Sequence, residues 1–204
     1  MALTTFVAGN VLTALQLNDS FAAVGGVRAI VPTSVSVTGA GSSGTVGTNG
    51  TITFGTAESL SINGVFSSAY RNYAVVCDFD TSAADINLNL RWRVAGTDNT
   101  TANSYIVQRL DTNSTTVGAG RVTSNLAQVA YGASVSTNGF TGTIFRPFLA
   151  DTTTMTTHSA NSLNNAWQSI FAAFHNQNTS YDGFTLLASS GNISGTVTVY
   201  GLFG

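Results

Sequence analysis

The chain has 204 residues and a formal net charge of −2, and 8% of its residues are charged, against about 25% in a typical soluble domain. All seven basic residues are arginine and Glu58 is the single glutamate, so the sequence excludes the clustered basic footprint of a nucleic-acid-binding protein. Because lysine and glutamate are depleted in interface cores, this composition favours a surface covered by copies of the same chain or by partners.

The N-terminal sequence does not have the features of a membrane segment or a signal peptide. No stretch reaches the roughly 18 consecutive apolar residues of a membrane helix. The chain begins without a basic region, and Asn18 and Asp19 interrupt its first apolar run, unlike a signal peptide. The single cysteine, Cys77, excludes an intramolecular disulfide framework, and the apolar residues before it predict a buried, inert thiol. We therefore expect a protein that is made and used without secretion.

The first predicted element is a short amphipathic helix. Thr13 and Gln16 have the spacing of a capping box, and Leu12 and Leu17 have the spacing of the matching hydrophobic staple. Gly25 and the glycine after it are suitable for a helix C-terminus. The helix would span about eleven residues, which is below the ~12–15 at which isolated helices become even marginally stable. It must therefore pack against another surface.

We interpret residues 1–26 as a docking arm that attaches the protein to a larger assembly. One helix face collects apolar side chains at i, i+4 and i+7, and further apolar residues precede the helix. The predicted docking residues are Phe6, Leu12, Leu17, Phe21 and Val24.

Residues 27–50 are predicted to be a Gly/Ser/Thr-rich connection. The segment contains GAGSSG from Gly39 to Gly44, which matches the G-x-G-x-x-G pattern of dinucleotide-binding loops. That pattern requires a helix N-terminus aimed at the pyrophosphate. Here a turn and a strand follow instead, so the motif is interpreted as part of the connection and no nucleotide cofactor is expected.

Residues 51–204 are predicted to form one β-sandwich domain. The clearest strand covers residues 86–94, where Trp92 shares the inward face with aliphatic residues while Asn and Arg residues point outward. The apolar run 166–174 fits either a buried strand or a helix, and its neighbours favour a strand. About eight strands with turn signals between them predict an all-β, jelly-roll-like two-sheet sandwich.

Candidate catalytic and metal-binding residues are few. Asp78 and Asp80 lie at i, i+2 on one strand face, about 6.5–7 Å apart, a separation that overlaps the carboxylate spacing of inverting glycosidases. Their surrounding sequence DFDTSAAD instead favours hydrogen bonding in a turn. His158 and His175 lack metal-ligand spacing, and we interpret them as surface or interface residues. We predict that the protein is not an enzyme and has no metal site.

Two further signals concern ligands. The loop 96–103 is rich in oxygen-bearing side chains but lacks the pattern of an EF-hand calcium loop, so no cofactor is predicted. Trp92 and Trp167 are both candidate platforms for stacking a sugar ring. The alternation around Trp92 favours the core for that side chain.

The two ends of the chain resemble small fibre and decoration proteins of tailed bacteriophages. The N-terminal arms of such proteins follow the pattern T-F-x-x-G-x-x-L-T-A-x-x-L-N. The matching residues here are Thr5, Phe6, Gly9, Leu12, Thr13, Ala14, Leu17 and Asn18. The final strand of these proteins often ends in G-x-V-x-V-Y-G, matched here by Gly195, Val197, Val199, Tyr200 and Gly201. Residues 59–76 resemble the first strands of the same group.

The resemblance implies a trimer with a jelly-roll-like head and no enzymatic activity, and it transfers no catalytic residues. It predicts a structural virion protein, assembled in the host cytoplasm, that docks on a tail or capsid protein through its arm. The expected partners are other copies of the chain, virion proteins and host surface glycan, without nucleic acid and without membrane insertion. The alternative is a carbohydrate-binding, lectin-like module, which exposed aromatic residues clustered at one end of the sandwich would favour.

Overall fold

The computed structural model describes residues 26–113, 115–134, 136–162 and 167–202. All the regular secondary structure within those ranges is β-strand. The predicted N-terminal helix and all five predicted docking residues lie outside them. In chain order the strands are β1 Val27–Ala29, β2 Ser34–Thr38, β3 Ser43–Val46, β4 Ile52–Ala57, β5 Ser59–Asn63, β6 Asn72–Thr81, β7 Asp85–Val94, β8 Thr97–Asp98, β9 Tyr105–Asn113, β10 Thr116–Ser124, β11 Ala127–Ala133, β12 Asn138–Phe145, β13 Thr153–Asn161, β14 Trp167–His175, β15 Gly183–Ala188 and β16 Ile193–Leu202.

The strands form two antiparallel sheets. The larger sheet has the order β10-β9-β14-β13-β12-β6-β16-β4-β3, and β1 pairs with the C-terminal part of β16. The smaller sheet has the order β11-β7-β15-β5-β2, with β8 paired to the end of β7. The prediction of an all-β protein with two sheets is therefore confirmed.

The core lies between the sheets and follows from the alternation of the strands. β6 and β13 bury every second residue, because successive side chains of a strand point to opposite faces of the sheet. Trp92 is 2% exposed, which confirms its predicted inward position. The largest fully buried side chains are Trp92, Tyr73, Tyr105, Tyr181, Phe66, Phe171 and Phe184.

Residues 27–50 contribute three strands, where the sequence predicts only a connection. β1 pairs with β16, β2 with β5 and β3 with β4. Ile30, Val35 and Val37 are the residues of this segment that pack against the core, and so few apolar positions among Gly, Ser and Thr give a weak strand pattern. Backbone hydrogen bonds to neighbouring strands hold these three segments as strands, and the pattern of side chains does not reveal those bonds.

The GAGSSG motif forms the turn between β2 and β3. Gly39 and Gly41 have φ values of 123° and 74°, which glycine adopts more easily than any other residue. A Cβ atom on Gly39 would lie 2.6 Å from the carbonyl oxygen of Thr56. The glycines therefore serve a tight turn that carries the chain from one sheet to the other, and β3 follows them instead of a helix.

The ambiguous run around residue 170 is β14, a central strand of the larger sheet. Its inward residues include Trp167 at one end and His175 at the other, about 26 Å apart at the rise of a strand. The strand therefore connects the two ends of the sandwich, and the prediction that favoured strand over helix is confirmed.

The outer face of the larger sheet exposes apolar side chains on adjacent strands. Val76, Leu110, Phe145 and Phe174 are 46%, 45%, 37% and 37% exposed. Short neutral residues separate them, including the threonines of β12 and β13. From β10 to β6, the ionisable residues of this face in the described ranges are Arg121, His158, Asp78 and Asp80.

The outer face of the smaller sheet has a different character, because a polar network covers it. Arg93 donates hydrogen bonds to Asn63 Oδ1 at 2.9 Å, to Ser61 Oγ at 3.0 Å and to Thr185 Oγ1 at 2.8 Å. It also forms an ion pair with Asp98, whose carboxylate accepts a hydrogen bond from Thr185. These contacts join three strands of the sheet to the β8 hairpin.

Across residues 26–202, leaving aside the three internal gaps, no helix has the length and apolar character needed to span a membrane.

Candidate functional site

A cleft with a volume of about 480 Å³ opens at one end of the sandwich. It lies where β11, the edge strand of the smaller sheet, packs over β13 and β14 of the larger sheet. Its volume falls in the range of about 300–1,000 Å³ that is typical of small-molecule sites. The side chains that give it chemical character are Asp85, Asn87, Tyr131, Asn161, Trp167 and Ser189.

A β-bulge in β11 shapes the cleft. The register against β7 shifts between Gln128 and Ala130, so Val129 is the additional residue. Val129 and Ala130 are both fully buried, and Tyr131 then stands opposite Asn87. Bulges commonly redirect a side chain beside a functional site, and this one sets the Tyr131 ring at the wall of the cleft.

The two aromatic rings of the cleft contact each other and are supported from behind. The centroids of Tyr131 and Trp167 are 5.4 Å apart with an angle of 46° between the ring planes, and Phe171 lies 5.8 Å from Tyr131. Arg109 donates a hydrogen bond to Tyr131 Oη, and its Cζ lies 5.4 Å from the centroid of the ring. Arg109 is itself held by Asp111, with 3.2 Å between Nε and Oδ2. The orientation of the Tyr131 ring is therefore fixed.

Polar side chains of the cleft lining beside Tyr131 are also held in place. Asn87 Oδ1 accepts a hydrogen bond of 2.9 Å from Gln128 Nε2. The backbone N–H of Asn87 donates to Ser189 Oγ at 2.9 Å. Asp85 begins β7 with an exposed carboxylate. This part of the lining therefore presents amide and carboxylate groups from β7 and a hydroxyl group from Ser189, immediately after β15.

Besides Arg109 Nε, which is ion-paired with Asp111 Oδ2, three buried polar atoms next to the cleft have no hydrogen-bond partner among the described residues. They are Asp111 Oδ1, Trp167 Nε1 and Ser169 Oγ. Asp111 and Ser169 are directly paired across β9 and β14, and Trp167 is two residues from Ser169. An unpaired buried polar group costs about 1–3 kcal/mol, so a group of three at one place calls for a physical explanation.

At the opposite end of the sandwich, aromatic and polar groups are packed into a filled core. We call this region, made up of Trp92, Tyr105, His175 and Tyr181, the closed end, and all four are at most 2% exposed. Tyr105 Oη accepts the backbone N–H of Trp92 at 3.0 Å and donates to the carbonyl of Asn99 at 2.9 Å. Tyr181 Oη lies 2.7 Å from His175 Nε2 and accepts from Asn99 Nδ2 at 2.9 Å.

Burial controls the ionisation of the closed end. Desolvation lowers the pKa of His175 to about 4, against the smaller opposing effect of the Ser104 carbonyl. Desolvation also raises the pKa values of Tyr105 and Tyr181 above their ordinary range. His175 is therefore neutral at pH 7, and its Nε2 shares a hydrogen bond with the hydroxyl of Tyr181. The ring lies within reach of the Ser104 carbonyl, but His175 Nδ1 makes no hydrogen bond of normal geometry among the described residues.

The candidate acid pair is not in a turn, so that interpretation is wrong. β6 continues to Thr81, and Asp78 and Asp80 are exposed on the outer face of the larger sheet. Asp78 accepts a hydrogen bond from Thr196 on β16. Strand pairing on both sides of β6 extends it through this polar segment, and the turn begins only at residue 82.

The remaining predicted candidates lie apart from the cleft. His158 is exposed on the outer face of β13, whereas His175 is buried in the core, which corrects the expectation that both are surface or interface residues. Cys77 is 3% exposed and burial raises the pKa of its thiol, which confirms a buried thiol. The carboxylate of the 96–103 loop, Asp98, is paired with Arg93. The described ranges contain no group of three or more His, Cys, Asp or Glu residues that could hold a metal ion.

Of the two predicted stacking platforms, the structure places only Trp167 in a cleft. Trp92 belongs to the closed end. Sequence reasoning did not identify Tyr131, Asp85 or Asn161, which are far from Trp167 in the chain and come together only through sheet packing. The sole signal in the sequence was the position of Trp167 at the start of its apolar run.

Comparison with known proteins does not assign this chain to a family. No protein-family model matches the chain, and no curated protein matches it significantly. Among solved structures, a crystal structure of a protein of unknown function, SO2946 from Shewanella oneidensis MR-1, aligns over 87% of this chain and 79% of its own. The two are 10% identical with a TM-score of 0.22, so the similarity carries no argument about fold or function.

Proposed function

We propose that this chain is a structural, non-enzymatic virion protein of a tailed bacteriophage, a short fibre or decoration protein. Residues 1–26 attach it to a tail or capsid protein, and the jelly-roll-like sandwich is displayed outward. The support from sequence is the resemblance at both ends of the chain. The C-terminal part of that resemblance forms β16, which pairs with β6 along its length.

The observation that carries an assembly function is the outer face of the larger sheet. Monomeric soluble proteins rarely expose contiguous apolar patches of more than a few hundred Å². Here Val76, Leu110, Phe145 and Phe174 are each more than a third exposed on one face. A charge-poor face on which neutral residues separate several exposed apolar side chains fits a surface that is covered in the assembled state.

The occupant that this face fits is a second copy of the chain within a closed ring. Arg121 lies on β10 at one side of the face, and Asp78 and Asp80 lie on β6, five strand spacings or about 24 Å away. In a cyclic trimer each contact joins different parts of neighbouring copies. Arg121 of one copy then approaches Asp78 of the next, and the apolar residues between them become buried.

The oligomeric state is measured by sedimentation equilibrium of the full chain. We expect a trimer, and we expect Leu110→Asp and Phe174→Asp to give folded monomers because each places a charge inside the buried face. Ser36→Asp is the matched control, since Ser36 is exposed on the smaller sheet. A monomeric full-length protein, or a trimer unaffected by either variant, would contradict the proposal.

Attachment is tested by deleting residues 1–26, which ends immediately before β1. The expected product is a folded β-sandwich by circular dichroism that no longer enters assembled particles, while the full chain does. Incorporation of the truncated protein at the level of the full chain would contradict the docking arm.

A further inference from the structure

We infer that the cleft lined by Tyr131 and Trp167 is a binding site for a neutral pyranose ring, as in a terminal sugar of a host surface glycan. The inference deepens the proposed attachment function by naming a ligand class and its site. It depends on the cleft alone. The cleft can therefore fail to bind sugar while the assembly function holds, and the assembly function can fail while the cleft binds sugar.

The aromatic walls provide the first argument. A pyranose ring has one face of C–H groups, and it packs on aromatic rings while its hydroxyls form hydrogen bonds around the edge. Tyr131 and Trp167 offer apolar ring surface to the cleft. Tyr131 Oη is hydrogen-bonded to Arg109 and Trp167 Nε1 is buried, so the polar contacts of a ligand come from the other lining residues. The centroids of the two aromatic rings are 5.4 Å apart and their planes meet at 46°, so the two rings are not parallel and do not form a slot for a flat aromatic ligand.

The polar lining provides the second argument. Asp85, Asn87, Asn161 and Ser189 line the same cleft, and they offer carboxylate, amide and hydroxyl groups. A hydroxylated ligand both donates and accepts hydrogen bonds, and this set can satisfy both. The lining contains no lysine or arginine, and the carboxylate of Asp85 repels anions, so the site favours a neutral sugar over a phosphate or a uronic acid.

The unpaired buried atoms provide an independent argument. Trp167 lines the cleft and its buried Nε1 has no partner within the described residues. Asp111 Oδ1 on the neighbouring strand β9 and Ser169 Oγ on β14 itself are also without a partner. Buried polar groups are normally hydrogen-bonded, and binding sites are where such groups are kept for a ligand or its bound water. Asp111 and Ser169 do not line the cleft, so Trp167 Nε1 is the one of the three atoms that belongs to a residue which a guest would touch.

Saturation-transfer difference NMR of the full chain tests the inference. The probes are the methyl glycosides of glucose, galactose, mannose and N-acetylglucosamine, each at about 20 mM because single-ring affinities are in the millimolar range. Methyl glucuronide is the anionic comparison. We expect at least one neutral glycoside to receive saturation through its ring C–H protons, and the glucuronide to receive none.

Variants locate the binding. Trp167→Ala and Tyr131→Ala are expected to weaken binding about tenfold or more, the loss typical of a central aromatic anchor. Val94→Ala removes an exposed apolar side chain at the end of β7 away from the cleft and is expected to leave binding unchanged. Because the chain has two tryptophans and Trp92 is buried, ligand-induced change in tryptophan fluorescence should also disappear in Trp167→Ala.

Two results would overturn the inference. One is the absence of saturation transfer to all four neutral glycosides with a protein that circular dichroism shows to be folded. The other is binding that persists unchanged in both Trp167→Ala and Tyr131→Ala. Binding of the glucuronide in preference to the neutral sugars would also contradict it, since that result would require a positive site.

Discussion

β7 and β14 both run from one end of the sandwich to the other, and their terminal residues show how differently the two ends are built. At the closed end, Trp92 and His175 are at most 2% exposed, and two tyrosine hydroxyls connect the surrounding groups. At the cleft end, Asp85 and Trp167 line an open volume. The same two strands therefore hold a packed aromatic core at one end and an unfilled site at the other.

The comparison indicates that stability and binding are separated along the strands. Each end has buried polar atoms without a hydrogen-bond partner among the described residues. At the closed end these atoms include Thr153 Oγ1 and His175 Nδ1. The difference is that the closed end is filled by protein side chains, whereas the cleft end has space beside its unpaired atoms. A protein gains stability by filling such a space, so its presence fits a functional requirement.

The largest expected contrast is between the two tryptophans. Trp92→Ala removes a buried ring that packs on Phe66 and Tyr181, and it should lower the free energy of unfolding by about 3–5 kcal/mol. Trp167→Ala removes a partly exposed ring at a cleft and should cost about 1 kcal/mol. Urea denaturation of both variants measures the difference. Equal losses would show that the cleft end is packed as tightly as the closed end.

The second contrast is the pH dependence that His175 gives to the closed end. Its folded pKa is about 4 and its unfolded pKa is about 6.5, so between these values only the unfolded state binds the proton. Stability from this group is therefore complete above pH 6.5 and is lost as the pH falls towards 4, by on the order of 2–3 kcal/mol.

The measurement is the free energy of unfolding at several pH values in that window. In His175→Gln, the free energy of unfolding should depend less steeply on pH than in the unmodified chain, whatever the stability of the variant at pH 7. His158→Gln removes the exposed histidine of β13 and serves as the control that keeps the slope. An unchanged slope in His175→Gln would show that His175 is not the group responsible.

A smaller effect is expected from removing one hydroxyl at the closed end. Tyr181→Phe leaves His175 Nε2 and Asn99 Nδ2 without their common partner, which should cost about 1–2 kcal/mol. Tyr200→Phe, on the outer face of β16, should change stability by less than about 0.5 kcal/mol. Thermal denaturation separates the two variants, and similar melting temperatures would argue against a structural network at this end.

The smallest effect, and one of opposite sign, is expected from a serine at the cleft end. Ser169 is fully buried and its Oγ has no partner within the described residues, so Ser169→Ala should leave stability unchanged or raise it by up to about 1 kcal/mol. Ser104→Ala is the matched substitution at the closed end, where Oγ donates to the Thr101 carbonyl at 2.7 Å, and it should cost about 1 kcal/mol. A cost in Ser169→Ala equal to that in Ser104→Ala would mean that Ser169 is hydrogen-bonded.

Sequence pattern predicted those parts of the fold in which each strand buries one face. β7 and β14 were identified because alternating or continuous apolar residues leave few other conformations, and the inward position of Trp92 followed from the same alternation. β1 to β3 were missed because they have few apolar residues and depend on backbone pairing to distant strands. Asp78 and Asp80 were misplaced for a related reason, since turn-forming residues join a strand when both neighbours provide hydrogen bonds.

The candidate site shows the same division. Trp167 could be selected from its residue type, but its partners Tyr131 and Asp85 lie 36 and 82 positions away in the chain. Their approach requires β11 to be the edge strand, the bulge at Val129 to redirect Tyr131, and the two sheets to pack in register. Local sequence contains none of these three facts.

By itself, then, the sequence determined an all-β chain with two sheets, a buried thiol and an ion-poor surface, because burial period and composition are local properties. The tertiary structure decided which end of the sandwich closes and which opens. That outcome depends on whether side chains from distant strands fill the space between the sheets, as Tyr105, His175 and Tyr181 do around Trp92. Around Trp167 the Val129 bulge turns Tyr131 to the wall of the cleft and leaves the space beside it open.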